Sequence, residues 1–215
     1  MSRKCEKLHI WFNSLPKHYF PFNEDKIPLN GIYILFEKGE RAHNTIRVVR
    51  IGTHTGKDQL RSRLIQHFID ENKDRSILRK NIGRCILNRE NDPFLKQWEI
   101  DLTTRDSRRK YQHNIDLKKR EDIEREVTKY IQKNFSFVVF KVDNKNSRLD
   151  LESKIISTIS LCDGCIPSKT WFGNYSPKEK IRESGLWLVN KLYQESLTEN
   201  DMSKLQNLLR SRTFK

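Results

Sequence analysis

Gly31-Ile32-Tyr33-Ile34-Leu35-Phe36 and, after a polar stretch containing Gly39, Ile46-Arg47-Val48-Val49-Arg50-Ile51-Gly52 are the runs that decide the fold. Both are rich in β-formers, and the first alternates at period two, so together they predict a β-hairpin. On its strand Tyr33 faces away from Ile32 and Ile34. Beyond Gly52, Leu60, Leu64 and Phe68 recur at helical spacing and predict a helix over Asp58 to Asp70, with Asp58 as its cap. Ile123, Val127, Tyr130 and Ile131 predict a second helix over Glu121 to Gln132, followed by a strand over Phe135 to Val142 and a helix over Leu149 to Leu161. This order implies an α+β domain in which a small antiparallel β-sheet is flanked by helices.

Working outward, residues 1–30 read as an irregular arm packed on the core, with Trp11, Phe12, Tyr19, Phe20 and Phe22 set among Pro16, Pro21 and Pro28. The domain proper spans 31–190, and 191–215 is a helical, amphipathic tail preceded by a strand-like Leu186-Trp187-Leu188-Val189. Between Arg75 and Arg120 stand 13 Lys plus Arg against 6 Asp plus Glu, a net +7 that reads as a basic insertion over about 75–120. Arg105, Arg108, Arg109 and Lys110 cluster there around Asp106 and Ser107 as candidate nucleic-acid contacts, against the plainer reading of a solvated basic surface.

The whole chain of 215 residues carries 42 Lys plus Arg against 28 Asp plus Glu, a formal charge of +14 that favours a polyanionic partner, nucleic acid first. Its apolar runs fall short of the ~20 residues that span a bilayer, and no apolar segment follows the N-terminal charges, so a cytoplasmic protein is expected. Cys162-Asp163-Gly164-Cys165 has the spacing of zinc ligands or a redox pair. A structural zinc needs four ligands, and only Cys5, His9 or Cys85 are at hand to complete it. Ordinary reduced thiols are the default.

At this point the sequence resembles the GIY-YIG nuclease superfamily. Gly31-Ile32-Tyr33 matches the first motif, and Arg50-Ile51-Gly52 stands where Tyr-Ile-Gly belongs. Leu60 to Phe68 looks like the family's helix, with Arg63 and His67 at the required four-residue spacing, and Leu151-Glu152 resembles its metal-binding glutamate. The likeness runs from about Gly31 to Asn174, but between Arg75 and Arg148 only element order matches. It implies that Tyr33 helps activate a water, that Arg63 binds phosphate oxygens, that His67 belongs to the site, and that Glu152 holds Mg2+ or Mn2+. Arg50 departs from the pattern: it replaces the second tyrosine, and either contacts phosphate or leaves the site impaired. Asn174 lies where some restriction enzymes of the superfamily carry an asparagine near the metal, although a turn asparagine after glycine is the plainer reading.

The residues themselves support part of this. Arg63 and His67 project from one helical face, at the edge of the apolar stripe. Arg61 points nearer the middle of that stripe and competes for the arginine role, and the motif spacing favours Arg63. At about 100° per residue, Glu152 falls inside the apolar face made by Leu151, Ile155, Ile156 and Ile159. A carboxylate there must be protonated, salt-bridged or metal-bound. One hard carboxylate points to magnesium rather than zinc. The expectation is a DNA endonuclease of restriction or phage-defence type, with oligomeric state open, a homodimer included. The alternatives are a catalytically impaired nucleic-acid-binding module on the same fold and a zinc- or thiol-dependent interaction protein built on Cys162 and Cys165.

Overall fold

A computed structural model describes residues 2–210. The predicted hairpin forms from β2 (Gly31–Ala42) and β3 (Thr45–Gly52), joined by a two-residue turn in which His43 and Asn44 take φ of 48° and 57°. Two successive positive φ values give the turn whose twist matches that of the flanking strands. Gly39, with φ of 90°, lies in the stretch where the ladder register shifts, between Phe36 and Arg41, so it belongs to an irregularity in the strand and not to the turn. β4 (Phe135–Lys141) pairs antiparallel with β2, and a short β1 (His18–Tyr19) pairs with β4, giving a sheet of order β1-β4-β2-β3.

Alternation along β2 divides the core. Tyr33 and Leu35 enter an apolar layer with Leu60, Leu64 and Phe68 of α2 (Leu60–Phe68), Leu78 and Ile82 of α3 (Ile77–Arg89), and Val127 and Ile131 of α6 (Leu117–Asn134). Ile32, Ile34 and Phe36 face the opposite layer. There they meet Leu8 and Phe12 of α1 (Ser2–Ser14), Ile155 and Ile159 of α7 (Lys145–Ser160), and Leu205 of α9 (Glu199–Arg210).

Several expectations change. The first half of the N-terminal arm is not irregular: Leu8 and Phe12 repeat at helical spacing and α1 packs on the sheet's second face with them, whereas 15–30 holds only the two-residue β1 and one short 3-10 turn. Asp58 does not cap α2. It takes φ of 58° and gives its N–H to Asn30, while Gln59 holds the cap position with no side-chain bond. Leu186 to Val189 is not a strand; Trp187 gives one backbone bond to Val49 at the sheet edge (2.8 Å) and its indole is buried in the first layer. The basic stretch splits in two. Its first part, α3 with α4 (Leu95–Trp98), is core, because Arg79 and Arg84 are buried against Glu124 and Glu99. Its second part, α5 (Arg105–Tyr111), lies on the surface with no buried residue. A short α8 (Glu179–Ser184) follows the loop after α7. Of the C-terminal tail expected over 191–215, the last five residues lie outside the described range. Among the described residues, no helix is long and apolar enough to cross a membrane.

Candidate active site

The register of the hairpin sets Tyr33 opposite Gly52. A Cβ on residue 52 would meet the Tyr33 phenol oxygen at 2.2 Å, so only glycine leaves the phenol its place. The phenol oxygen lies 2.7 Å from His67 Nε2, and His67 Nδ1 lies 2.7 Å from Ser76 Oγ. Ser76 is held in turn as the N-cap of α3, its hydroxyl oxygen accepting the Arg79 N–H. Arg50 Nε donates to the phenol oxygen at 3.3 Å, and the same guanidinium donates to the Trp187 carbonyl.

Tyr33 and His67 are fully buried and Arg50 nearly so. Burial holds the His67 pKa well below the usual histidine value, and the nearby cations Arg63, Arg50 and Arg79 push it the same way. The imidazole is therefore neutral at pH 7, with one donor and one acceptor nitrogen.

Arg63, one turn before His67 on α2, faces a polar cleft of about 420 Å³ lined also by Thr53, His54, Gln59, Gln66 and Arg75. It is half-buried and donates to Gln66 Oε1 (3.0 Å) and the Arg75 carbonyl (2.7 Å). Arg61 points elsewhere, to the Ile27 carbonyl (2.8 Å) and Asp25 (3.7 Å), and does not line that cleft.

Glu152 sits on α7, nearly buried, with Oε2 bonded to Lys191 Nζ at 2.5 Å. Its carboxylate is thus paired with Lys191, not with Tyr33, Arg63 or His67. Its neighbour Arg148, one turn earlier on α7, donates to the carbonyl of His54, which lines the cleft (3.3 Å). As a metal ligand Glu152 offers one hard oxygen donor besides the atom held by Lys191. Such a donor suits an ion that keeps most of its coordination for waters and phosphate oxygens.

The remaining candidates lie apart from the cleft. Asn174 is half-buried and donates from Nδ2 to the carbonyls of Ser168 and Lys169 (3.0 Å each), which shapes its own loop. Arg105, Arg109 and Lys110 are exposed on α5, Lys110 over the Tyr111 ring, and Arg108 donates to the Leu102 and Thr103 carbonyls. Sequence reasoning missed Ser76, Arg75, His54 and Lys191. A cap signal before the α3 stretch was available for Ser76, since serine stands directly before a helix-forming run. Nothing local marks the other three.

Comparison with curated proteins gives no match, and comparison with solved structures gives none. The family model described as GIY-YIG domain matches residues 20–214, nearly the whole chain. The Gly31-Ile32-Tyr33 strand, its paired Gly52, the Arg63 and His67 helix and this match together place the chain in the GIY-YIG nuclease superfamily.

Proposed function

We propose that the chain is a metal-dependent DNA endonuclease hydrolysing phosphodiester bonds, of restriction or phage-defence type. The observation that carries the reading is the buried chain Arg50, Tyr33, His67, Ser76, whose His67 stands one turn along α2 from Arg63 in a polar cleft that Arg75 also lines. Arg63 and Arg75 bind the phosphate, Arg63 through a planar fork matched to its oxygens. The phenol gives its proton toward His67 Nε2 and accepts from Arg50, which leaves an oxygen lone pair for the attacking water. Arg50, standing in place of the second motif tyrosine, favours negative charge on that oxygen. Glu152 would hold Mg2+ or Mn2+, which supplies Lewis acidity at the phosphate when bound. Arg105, Arg109 and Lys110 add affinity for the backbone without reading sequence.

Incubation with supercoiled plasmid, with and without magnesium, tests this. Nicking by the wild type that requires the metal and is lost in Glu152→Gln, with DNA affinity nearly intact, is the expected result. Full cleavage by Glu152→Gln would overturn the metal assignment. A second reading, a binding module that no longer cuts, is favoured by the complete burial of Tyr33. It predicts salt-dependent binding with no nicking in magnesium or manganese.

A further inference from the structure

On the sheet face opposite Tyr33, soft ligands converge from three remote parts of the chain. Cys5 and His9 come from α1, His43 from the β2–β3 turn, and Cys165 from the loop after α7; their ligand atoms all lie within 4.8 Å of one another. Cys162 joins them, its sulfur 3.5 Å from His43 Nε2. Cys165 Sγ is 3.4 Å from the same nitrogen and 3.2 Å from Cys5 Sγ. All three thiols are buried and none forms a disulfide.

Zinc bound tetrahedrally, with Zn–S of about 2.3 Å and Zn–N of about 2.0–2.1 Å, places sulfur and nitrogen ligands about 3.5 Å apart and two sulfurs about 3.8 Å apart. The sulfur to nitrogen spacings found here fit that figure, and the Cys5 to Cys165 contact needs to open by a few tenths of an ångström. One backbone feature points the same way: Gly164 clears the space before His43, since a Cβ there would lie 3.0 Å from His43 Cε1.

Five side chains compete for four places. His9 Nδ1 lies 3.0 Å from the Cys5 carbonyl and Nε2 accepts the Val48 N–H at 3.1 Å, so the backbone already uses both ring nitrogens. We propose that Cys5, His43, Cys162 and Cys165 form a structural zinc site. Four protein ligands close the coordination sphere, and thiolate with imidazole selects zinc over magnesium or calcium. The site joins α1, the hairpin turn and the segment after α7, and it stands independently of the nuclease reading. Cys85, the other candidate from the sequence, is buried in the opposite layer, while His43 supplies the ligand that sequence spacing did not suggest.

Metal analysis of protein purified without chelator should find about one zinc per chain, the content of a single closed site. Cys165→Ser and His43→Asn should lose it, the latter keeping a residue suited to positive φ, while Cys85→Ser should retain it. Reconstitution of the metal-free protein with cobalt should give the visible bands of a tetrahedral site and thiolate charge transfer, which reports ligation even where a variant folds poorly. His9→Gln should keep the metal and Cys162→Ser should weaken it; the reverse pattern would overturn the ligand assignment. Wild-type protein with no zinc and no cobalt bands, or with an intact mass showing a disulfide, would overturn the site.

Discussion

On one face of the sheet, charged groups lie within the apolar layer, and each meets partners of definite geometry. Glu37 accepts from Tyr130, Trp171 and Trp187, and Arg79 donates to Glu124, Thr128 and the His67 carbonyl. On the other face, between α1, α7 and the strands, Arg148 and Glu152 of α7 are buried as well, with bonds to the His54 carbonyl and Lys191, and a group of thiols and imidazoles gathers at one rim. Hard donors and acceptors lock one another through directional bonds, which on the function proposed above would keep the phenol and Arg50 in fixed positions. Soft donors crowded together instead suit a shared ion. The two sides of one sheet thus achieve rigidity by different chemistry, and each can be tested alone.

The largest expected effect is on catalysis. Tyr33→Phe keeps the ring in its slot beside Gly52 but removes the oxygen, and should lower cleavage by about 10²- to 10⁴-fold with little change in DNA affinity. Single-turnover cleavage measures it, and wild-type rates in the variant would show that the hydrogen-bonded face is scaffolding rather than machinery. Arg79→Met comes next. It strands Glu124 in a buried site and should cost about 3–5 kcal/mol, seen as a lower urea midpoint, whereas adding Glu124→Leu should recover much of the loss. A single variant as stable as the wild type would mean that this ion pair does not hold the face together.

A smaller effect follows from His67. Its folded pKa lies below the unfolded value near 6.5, so the unfolded chain binds the proton first as pH falls. Its contribution to stability is complete above pH 6.5 and is lost as pH drops toward the folded value, by up to about 1.4 kcal/mol per unit. His67→Gln should flatten the Tm profile between pH 7 and 5; an unaltered slope in that variant would place the acid sensitivity elsewhere. Smallest is the contribution of α5. Replacing Arg105, Arg108 and Arg109 with Ala should make log affinity against log salt shallower by about 0.9 for each phosphate that is no longer neutralised. Because Arg108 is engaged with two carbonyls, the change should correspond to fewer than three phosphates. An unchanged slope would leave the exposed arginines without a role in binding.

How much of this was legible depends on whether the signal was local. The hairpin and the helix stripes of α2, α6 and α7 announced themselves by periodicity, β4 by an apolar run of strand length, and β2 placed Tyr33 opposite Ile32 and Ile34 as alternation requires. Arg63 and His67 lie one turn apart on α2, but His67 is fully buried rather than at the edge of the apolar stripe, because its ring is taken up between Tyr33 and Ser76, and only Arg63 lines the cleft. Charge counting misled: the net +7 over 75–120 assumed exposure, yet Arg79 and Arg84 in that stretch are core groups neutralised by Glu124 and Glu99, the former 45 residues away in sequence. Lys191, His43 and the Trp187 carbonyl were invisible for the same reason, since each acts on a residue far off along the chain. The partners of Glu37 were hidden too, because a glutamate at the end of an apolar run looks like the strand's exit to solvent, while burial in fact raises its pKa against bonds from Tyr130, Trp187 and Trp171.

Helix α1 lies before residue 20, where the family match begins. It packs against β3 and the apolar layer on that face, with Phe12 stacked on Phe140 at a centroid distance of 6.0 Å. A fragment trimmed to the family boundary would bare the part of this side that α1 covers, leaving α7 and α9 in place over the rest, so solubility, more than catalysis, sets where the chain can be cut.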